Sequence, residues 1–368
     1  MKVAIVHDYL SQMGGAERVV VALHGLFPTA PIYTSIFDPA STWPELRTAD
    51  IRPTWMQRLP GMPTHFKKYL LVYPRAIEGL PLDGYDLVLS SSSAYAKAAR
   101  SRAGALHVCY CHNPMRFIWD YDRYVQGERV GAAARALLPL ARSYLRRWDL
   151  RTAGRPHAYI ANSSAVAERI RRYYGRSSEV IPPPVRLGPE PAGDQPGDYY
   201  LVVSRLSGYK RLDLAIEAFN RLGLPLVVVG DGPARAALER DASPHIRFLG
   251  RRPDQEVAAL YAACRGLVVP GEEDFGITQV EAHAAGRPVI AYAAGGALDI
   301  VIDGTTGVLV PAQTADAIAE GVRRAEATTW DARAIRRHAE RFGEATFRER
   351  LVAFLEGLLG RPLPSARP

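Results

Sequence analysis

Cysteine is scarce in this 368-residue chain: the three present cannot build a disulfide framework for a fold of this length. No apolar run reaches the roughly 18 residues of a membrane-spanning helix, and no cleavable leader is recognisable at the start. Both absences argue for a cytoplasmic protein in a reducing compartment. The G-x-G-x-x-G dinucleotide fingerprint is missing, as are internal repeats and low-complexity tracts. Lysine is also rare, five among 46 basic residues. With 48% hydrophobic and 23% charged residues, disorder is excluded and two globular domains with cores of their own are expected. The net charge of +8 calls for an anionic partner: nucleic acid, an anionic membrane or a phosphorylated substrate. Nucleic acid is the weakest of these, because neither a recognition module nor a set of aromatic stacking positions is present.

The charge is unevenly placed. Residues 1–185 carry 24 basic and 14 acidic groups, a net +10, and the rest carries 22 and 24, a net −2. Between them Ile181-Pro182-Pro183-Pro184-Val185 and the Pro/Gly-rich stretch from Gly188 to Gly197 suit neither helix nor central strand. The reading is a first domain over 1–185, a linker over 186–198, a second domain over 199–340 and a C-terminal helix over 341–368 that packs back on the first domain. On both sides short apolar runs alternate with longer helical stretches, the pattern of βα units and parallel sheets. Strands are predicted at Val3–His7, Pro31–Ser35, Asp86–Ser90, His107–Cys111, Ala158–Ala161 and Glu179–Ile181. In the second half they fall at Tyr200–Ser204, Pro225–Val229, Ile246–Leu249, Gly266–Val269, Pro288–Ala291 and Val308–Val310. The fold class is α/β, with two doubly wound domains. Ligands in such sheets bind beyond the carboxyl ends of the strands, so the residues just after each run carry the functional information.

After the first strand come His7-Asp8 and then Gly14-Gly15 before a helix. Paired glycines there let backbone N–H groups approach an anion or a sugar, or they make a tight turn. After the strand at Tyr200, Arg205 and Lys210 stand five residues apart, suited to a diphosphate or to a solvated basic turn. After the strand at Gly266, Glu273 lies in a glycine turn and Glu281 more than one turn into the following helix. Their eight-residue separation lets both carboxylates reach one elongated ligand, while the helix N-terminus offers free amides. Helix capping accounts for Glu272 and Asp274 but not for Glu281, an acid among small apolar residues. Ala293-Ala294-Gly295-Gly296 reads on its own as a turn.

Glu273 to Glu281, with its internal Phe275-Gly276, resembles the E-x7-E motif of the family 4 retaining glycosyltransferases of the GT-B fold. Gly14-Gly15, Arg205 and Lys210, Gly230-Asp231-Gly232-Pro233, Gly286-Arg287-Pro288-Val289-Ile290 and Gly304-Thr305-Thr306-Gly307 follow in that family's order and spacing. Val108 to Asp120 is similar to the Y-C-H-x-P-M-R-x-x-W-D segment of bacterial mannosyltransferases of O-antigen and exopolysaccharide assembly. Two positions depart: Gln279, where Pro is frequent, and Leu298-Asp299, where Glu is usual after the Gly-Gly turn. The resemblance implies two Rossmann-like domains facing a central cleft. It implies transfer of a hexose, best matched by mannose from GDP-mannose, to a lipid-linked saccharide on a polyprenyl diphosphate. UDP-glucose or another nucleotide sugar with a different acceptor is the alternative, and a non-catalytic sugar-binding protein the other. In the implied site Arg205 and Lys210 hold the donor diphosphate and help it leave, and Glu281 accepts from the ribose. Glu273, Phe275, Gly276, Ile277 and Thr278 grip the sugar, largely through the amides after Phe275. His112 faces the anomeric carbon and Gly14-Gly15 close over the diphosphate. No metal and no cofactor are required.

Three other site readings compete. Asp120-Tyr121-Asp122 has the form of a metal-binding D-x-D but follows a Trp rather than a strand end. Cys109 and Cys111 alternate along a strand with no second pair at zinc spacing, so they read as buried apolar residues. Glu17 reads as a favourable first-turn charge rather than an acceptor-side base. Basic residues gather at Lys67-Lys68 and, with Leu138, Tyr144, Leu145 and Trp148, at Arg142, Arg146 and Arg147; Arg116 lies in the mannosyltransferase-like segment. Such a helix suits an anionic membrane surface or ordinary packing on a sheet. The first gives a peripheral protein at the inner face of the plasma membrane.

Overall fold

The structure, a computed structural model, describes residues 1–121, 132–188 and 197–363, with only the backbone of Lys67 and of residues 132–137. Asp122 and most of the expected linker lie outside the described residues. Two compact units are present, the chain passing from the first to the second at Pro184/Val185.

Seven strands form the first sheet: β1 (Val3–His7), β2 (Ile32–Thr34), β3 (Ile51–Pro53), β4 (Leu87–Ser92), β5 (Leu106–Cys111), β6 (Ala158–Ala161) and β7 (Glu179–Val180). All pairs are parallel, in the order β3-β2-β1-β4-β5-β6-β7. Their apolar runs are buried on both faces because helices cover both. Ile5, Ile32, Leu87 and Leu89 pack with Val19, Val20 and Leu23 on one side, and Ala4, Val6 and Val88 with Ile77, Leu145 and Trp148 on the other. Strand β3 escaped the sequence reading: it has three residues, one of them Pro53, tolerated because it lies at the sheet edge.

The second sheet contains β8 (Tyr200–Val203), β9 (Leu226–Val229), β10 (Ile246–Gly250), β11 (Leu267–Val269), β12 (Val289–Tyr292) and β13 (Gly307–Val310). It is also fully parallel, ordered β10-β9-β8-β11-β12-β13. Both halves are thus doubly wound α/β, as the alternation of runs indicates. In each sheet the winding reverses beside the first strand, between β1 and β4 and between β8 and β11. That reversal opens a crevice at the carboxyl ends of the strands.

Within 341–368 one helix is described, as expected, although it starts at Glu344 and ends at Leu359. It follows helix Ala332–Ala339 and a 3-10 turn, Glu340–Phe342. Phe342 packs edge-on against Phe275 at 5.7 Å between centroids, which keeps residues to Thr346 in the second unit. Beyond it Phe347, Leu351 and Leu355 enter the core around Ile5, Leu23 and Leu89.

Deep in the first unit Lys97 and Asp149 form a buried ion pair at 2.9 Å, the two side chains 1% and 0% exposed. Lys97 Nζ also donates to Thr152 Oγ1 at 2.8 Å and to the Asp149 carbonyl at 3.0 Å. The second Asp149 oxygen accepts from Trp119 Nε1 at 2.7 Å, tying the segment after β5 to helix Ala132–Thr152. Removing one member strands the other charge in the core, so Lys97→Met is expected to cost about 3–5 kcal/mol in denaturant unfolding. Lys97→Met combined with Asp149→Leu, which removes both charges, should recover a large part of that loss.

Candidate functional site

In the second unit the loops leaving β8 and β11 meet where the winding reverses. Leu206, fully buried, pins the β8 loop, while Arg205 beside it is exposed, with no side-chain hydrogen bond or ion pair among the described residues. Lys210 closes the 3-10 turn Gly208–Lys210 and its Nζ donates to both carboxylate oxygens of Glu273. These side chains are 14% and 19% exposed. Two residues that the sequence assigns to different parts of a ligand are therefore one ion pair, and the uncompensated cation of this loop is Arg205.

Glu273 is held from behind. Gly296 N–H donates to the Glu273 carbonyl at 2.9 Å, and residue 295 forms a β-bridge with Glu273. The backbones approach so closely that a Cβ on Gly296 would overlap the Phe275 carbonyl. The small-residue turn after β12 is thus the seat of Glu273. Helix Ile277–Ala284 starts at Gly276, whose φ is 107°, with no side-chain cap, leaving first-turn amides available. Glu281, on the second turn of this helix, accepts from Tyr261 Oη at 3.1 Å; no sequence signal singled out Tyr261. The Phe275 ring is 3% exposed and packs on Phe342, so of the residues named for the sugar Phe275 offers only its backbone. Gln279 is fully buried, which makes that departure from the family pattern a packing position.

In the first unit Gly14 N-caps helix Gly15–Leu26, again without a side-chain cap. Asp8 is buried, and its carboxylate accepts four backbone N–H bonds, from Ser93, Ala94, Tyr95 and Ala96, at 2.6–2.9 Å. His112 follows β5 directly, its N–H on the Ser92 carbonyl at 2.9 Å and its own carbonyl accepting from Asn162 Nδ2 at 3.0 Å. Its Nε2 lies 2.8 Å from Ser91 Oγ. Glu17 stands in the first turn of its helix, as read from the sequence, but not on its solvated face. It is buried, accepts from Gln12 Nε2 at 3.1 Å and stands 3.6 Å from His7 Nε2. Burial by itself would lower the His7 pKa, but Glu17, Asp8 and the Ser91 carbonyl outweigh it and raise it above the ordinary value.

The basic side chains divide. Arg142 donates to the Ile118 carbonyl at 3.3 Å and lies 4.2 Å over the Tyr121 ring. Arg146 lies 4.5 Å over Trp119. Both are partly engaged within the fold. Lys68 and Arg147 are exposed, Arg116 opens helix Arg116–Trp119 half-buried, and Leu140 and Tyr144 on helix Ala132–Thr152 are 72% and 50% exposed. Cys109 and Cys111 pack with Tyr159, Val166 and Ile170, burial pushing the Cys109 thiol up to about 12. Asp120 ends helix Arg116–Trp119. Among the described residues no group of three His, Cys, Asp or Glu is arranged to hold a metal, and no helix is long and apolar enough to cross a membrane.

Residues 13–188 match the family model Glycosyltransferase Family 4, and residues 190–347 match Glycosyl transferases group 1. The chain is 33% identical over 141 residues to O-antigen chain mannosyltransferase C of Escherichia coli, covering 36% of this chain and 37% of that one. It is 31% identical over 238 residues to the GDP-mannose-dependent alpha-(1-6)-phosphatidylinositol monomannoside mannosyltransferase of Mycolicibacterium smegmatis, covering 53% and 58%. The chain thus spans about a third of the length of the first relative and somewhat over half of the second. Anabaena HepE, solved in complex with UDP-glucose, shares the fold: TM-score 0.70 at 21% identity, over 97% of this chain and all of that one.

A methyl group at residue 296 must displace the Phe275 carbonyl. Gly296→Ala is therefore expected to lower stability by roughly 1–3 kcal/mol, read as a reduced denaturation midpoint with unchanged slope.

Proposed function

We infer that this chain, whose first half belongs with the Family 4 glycosyltransferase domains and whose second half with those of group 1, moves a hexose from a nucleotide sugar to a lipid-linked saccharide. The observation that carries this reading is the cluster at the β8/β11 reversal: Arg205, the Lys210–Glu273 pair, the uncapped helix at Gly276 and Glu281. An ammonium has three donors, so Lys210 can keep Glu273 and still donate to a diphosphate oxygen beside Arg205. Fixed cations there stabilise the charge that develops on the leaving nucleoside diphosphate, and the reaction needs no metal for that purpose. Glu281, steadied by Tyr261, accepts from the ribose hydroxyls. Glu273 and the amides after Phe275 hold the sugar; a sugar-facing role for His112 and a diphosphate-facing role for Gly14-Gly15 are what the family resemblance implies. The outcome is retention at the anomeric carbon.

Mannose from GDP-mannose is the donor supported by the mannosyltransferase-like segment from Val108 to Asp120 and by the two mannosyltransferase relatives. UDP-glucose is the second reading, favoured by the likeness to HepE, whose structure contains it. Incubation with labelled GDP-mannose, UDP-glucose or UDP-N-acetylglucosamine and a lipid extract should place label from GDP-mannose in the lipid fraction, undiminished by EDTA. Absence of transfer from every donor would sink the enzyme reading. Lys210→Ala and Glu281→Gln should each weaken donor binding by about 1–3 kcal/mol through a lost charged hydrogen bond; unchanged affinity in both would overturn the site.

An acceptor on a polyprenyl diphosphate accounts for the +10 of residues 1–185. The surface suited to the anionic bilayer is the exposed stripe Leu140, Tyr144 and Arg147, rather than Arg142 and Arg146. This makes the protein peripheral at the inner face of the plasma membrane. Flotation with anionic liposomes should fall with salt and on Arg147→Glu with Leu140→Ser; equal binding to neutral liposomes contradicts the assignment.

A further inference from the structure

Behind His112 lies a line of buried polar side chains: Ser91, His7 and Glu17, respectively 0%, 2% and 1% exposed. They come from the ends of β4 and β1 and from the first turn of helix Gly15–Leu26, and parallel pairing sets His7 beside Ser91. His7 Nδ1 lies 3.0 Å from the Ser91 carbonyl and 3.1 Å from Ser91 Oγ. Ser91 Oγ is 2.8 Å from His112 Nε2, and His7 Nε2 is 3.6 Å from Glu17 Oε1. The second Glu17 oxygen is buried, with no hydrogen bond among the described residues.

The direction of each bond follows from what each atom can do. A carbonyl only accepts, so His7 Nδ1 carries a proton and donates to it. With that proton in place, Ser91 Oγ cannot donate to His7 and can only accept from it. Among the described residues His112 Nε2 is the remaining acceptor for the Ser91 hydroxyl proton; were His112 Nε2 protonated, a buried O–H would be left unpaired. His112 Nε2 therefore accepts, and the neutral ring carries its proton on Nδ1. The carboxylate of Glu17 favours a second proton on His7, consistent with the raised pKa of that ring.

We propose that Glu17, His7 and Ser91 are positioning residues that hold His112 as the neutral Nδ1–H tautomer, so that it meets the donor sugar as a hydrogen-bond donor. The hydrogen bond to the sugar rests on the sugar-facing role of His112 proposed above; the bond chain from Glu17 to His112 does not. A ring locked in this way is aligned before the sugar arrives, and a ring free to exchange tautomers is not.

The test reads the tautomer without any substrate. In the full chain labelled with 15N-histidine, long-range 1H–15N spectra should show His112 as Nδ1–H and His7 protonated on Nδ1, the His112 signals being assigned by their loss in His112→Asn. Ser91→Ala should shift His112 toward the Nε2–H form, and Ser91→Thr, which keeps the hydroxyl, should preserve the wild-type pattern. Glu17→Gln should lower the pKa of His7, because the carboxylate that raises it is gone. Sugar transfer by Ser91→Ala should fall about ten- to a hundredfold in kcat with donor KM nearly unchanged. Wild-type His112 observed as Nε2–H, or His112 signals indifferent to Ser91→Ala, would overturn the proposal. A tautomer that responds to Ser91→Ala in a protein that transfers no sugar leaves the bond chain standing and removes the glycosyltransferase reading instead.

Discussion

One carboxylate fixes the carboxyl-end edge of the first sheet. Asp8, immediately after β1, accepts from four successive amides that follow β4. A buried anion is costly unless its oxygens are satisfied, and here the backbone satisfies it without a cation. Four converging N–H groups in turn admit one geometry of the chain from Ser93 to Ala96. This locks the ends of β1 and β4 together at the place where the sheet reverses its winding, and His7 and Ser91, one or two residues back along each strand, inherit the alignment. Burial holds the neighbouring Tyr73 and Tyr95 phenols above their ordinary range, so the rings stacked at 4.5 Å near this loop are neutral.

The second unit solves the same topological problem by different means. Its crevice is shaped by backbone packed directly on backbone, with glycine wherever a side chain would intrude, and by the Lys210–Glu273 pair bridging the two loops. The first unit uses a buried polar lattice. The second keeps its charges nearer to solvent, the Lys210 and Glu273 side chains being partly exposed.

Much of the fold was legible because parallel strands buried on both faces announce themselves as unbroken Val, Ile and Leu runs. The acids Glu273 and Glu281 stood out too, since a local spacing of eight residues survives in the linear text. Partnerships between distant residues were not. Ser91 stands in a run of four serines, 84 residues from His7, and only the strand order makes them neighbours. Glu17 looks like an ordinary helix-start acid until burial is known. Nor does a charge count reveal which guanidinium groups are already laid on Tyr121 and Trp119.

The last helix begins in one unit and ends in the other, which has a consequence for the order of assembly. The first unit is sequence-discontinuous, and its core lacks Phe347, Leu351 and Leu355 until nearly the whole chain has been made. Domains usually fold in the order in which they leave the ribosome. Here the earlier half must wait, incompletely sealed, while the later half is synthesised, so the part encoded first is the part finished last.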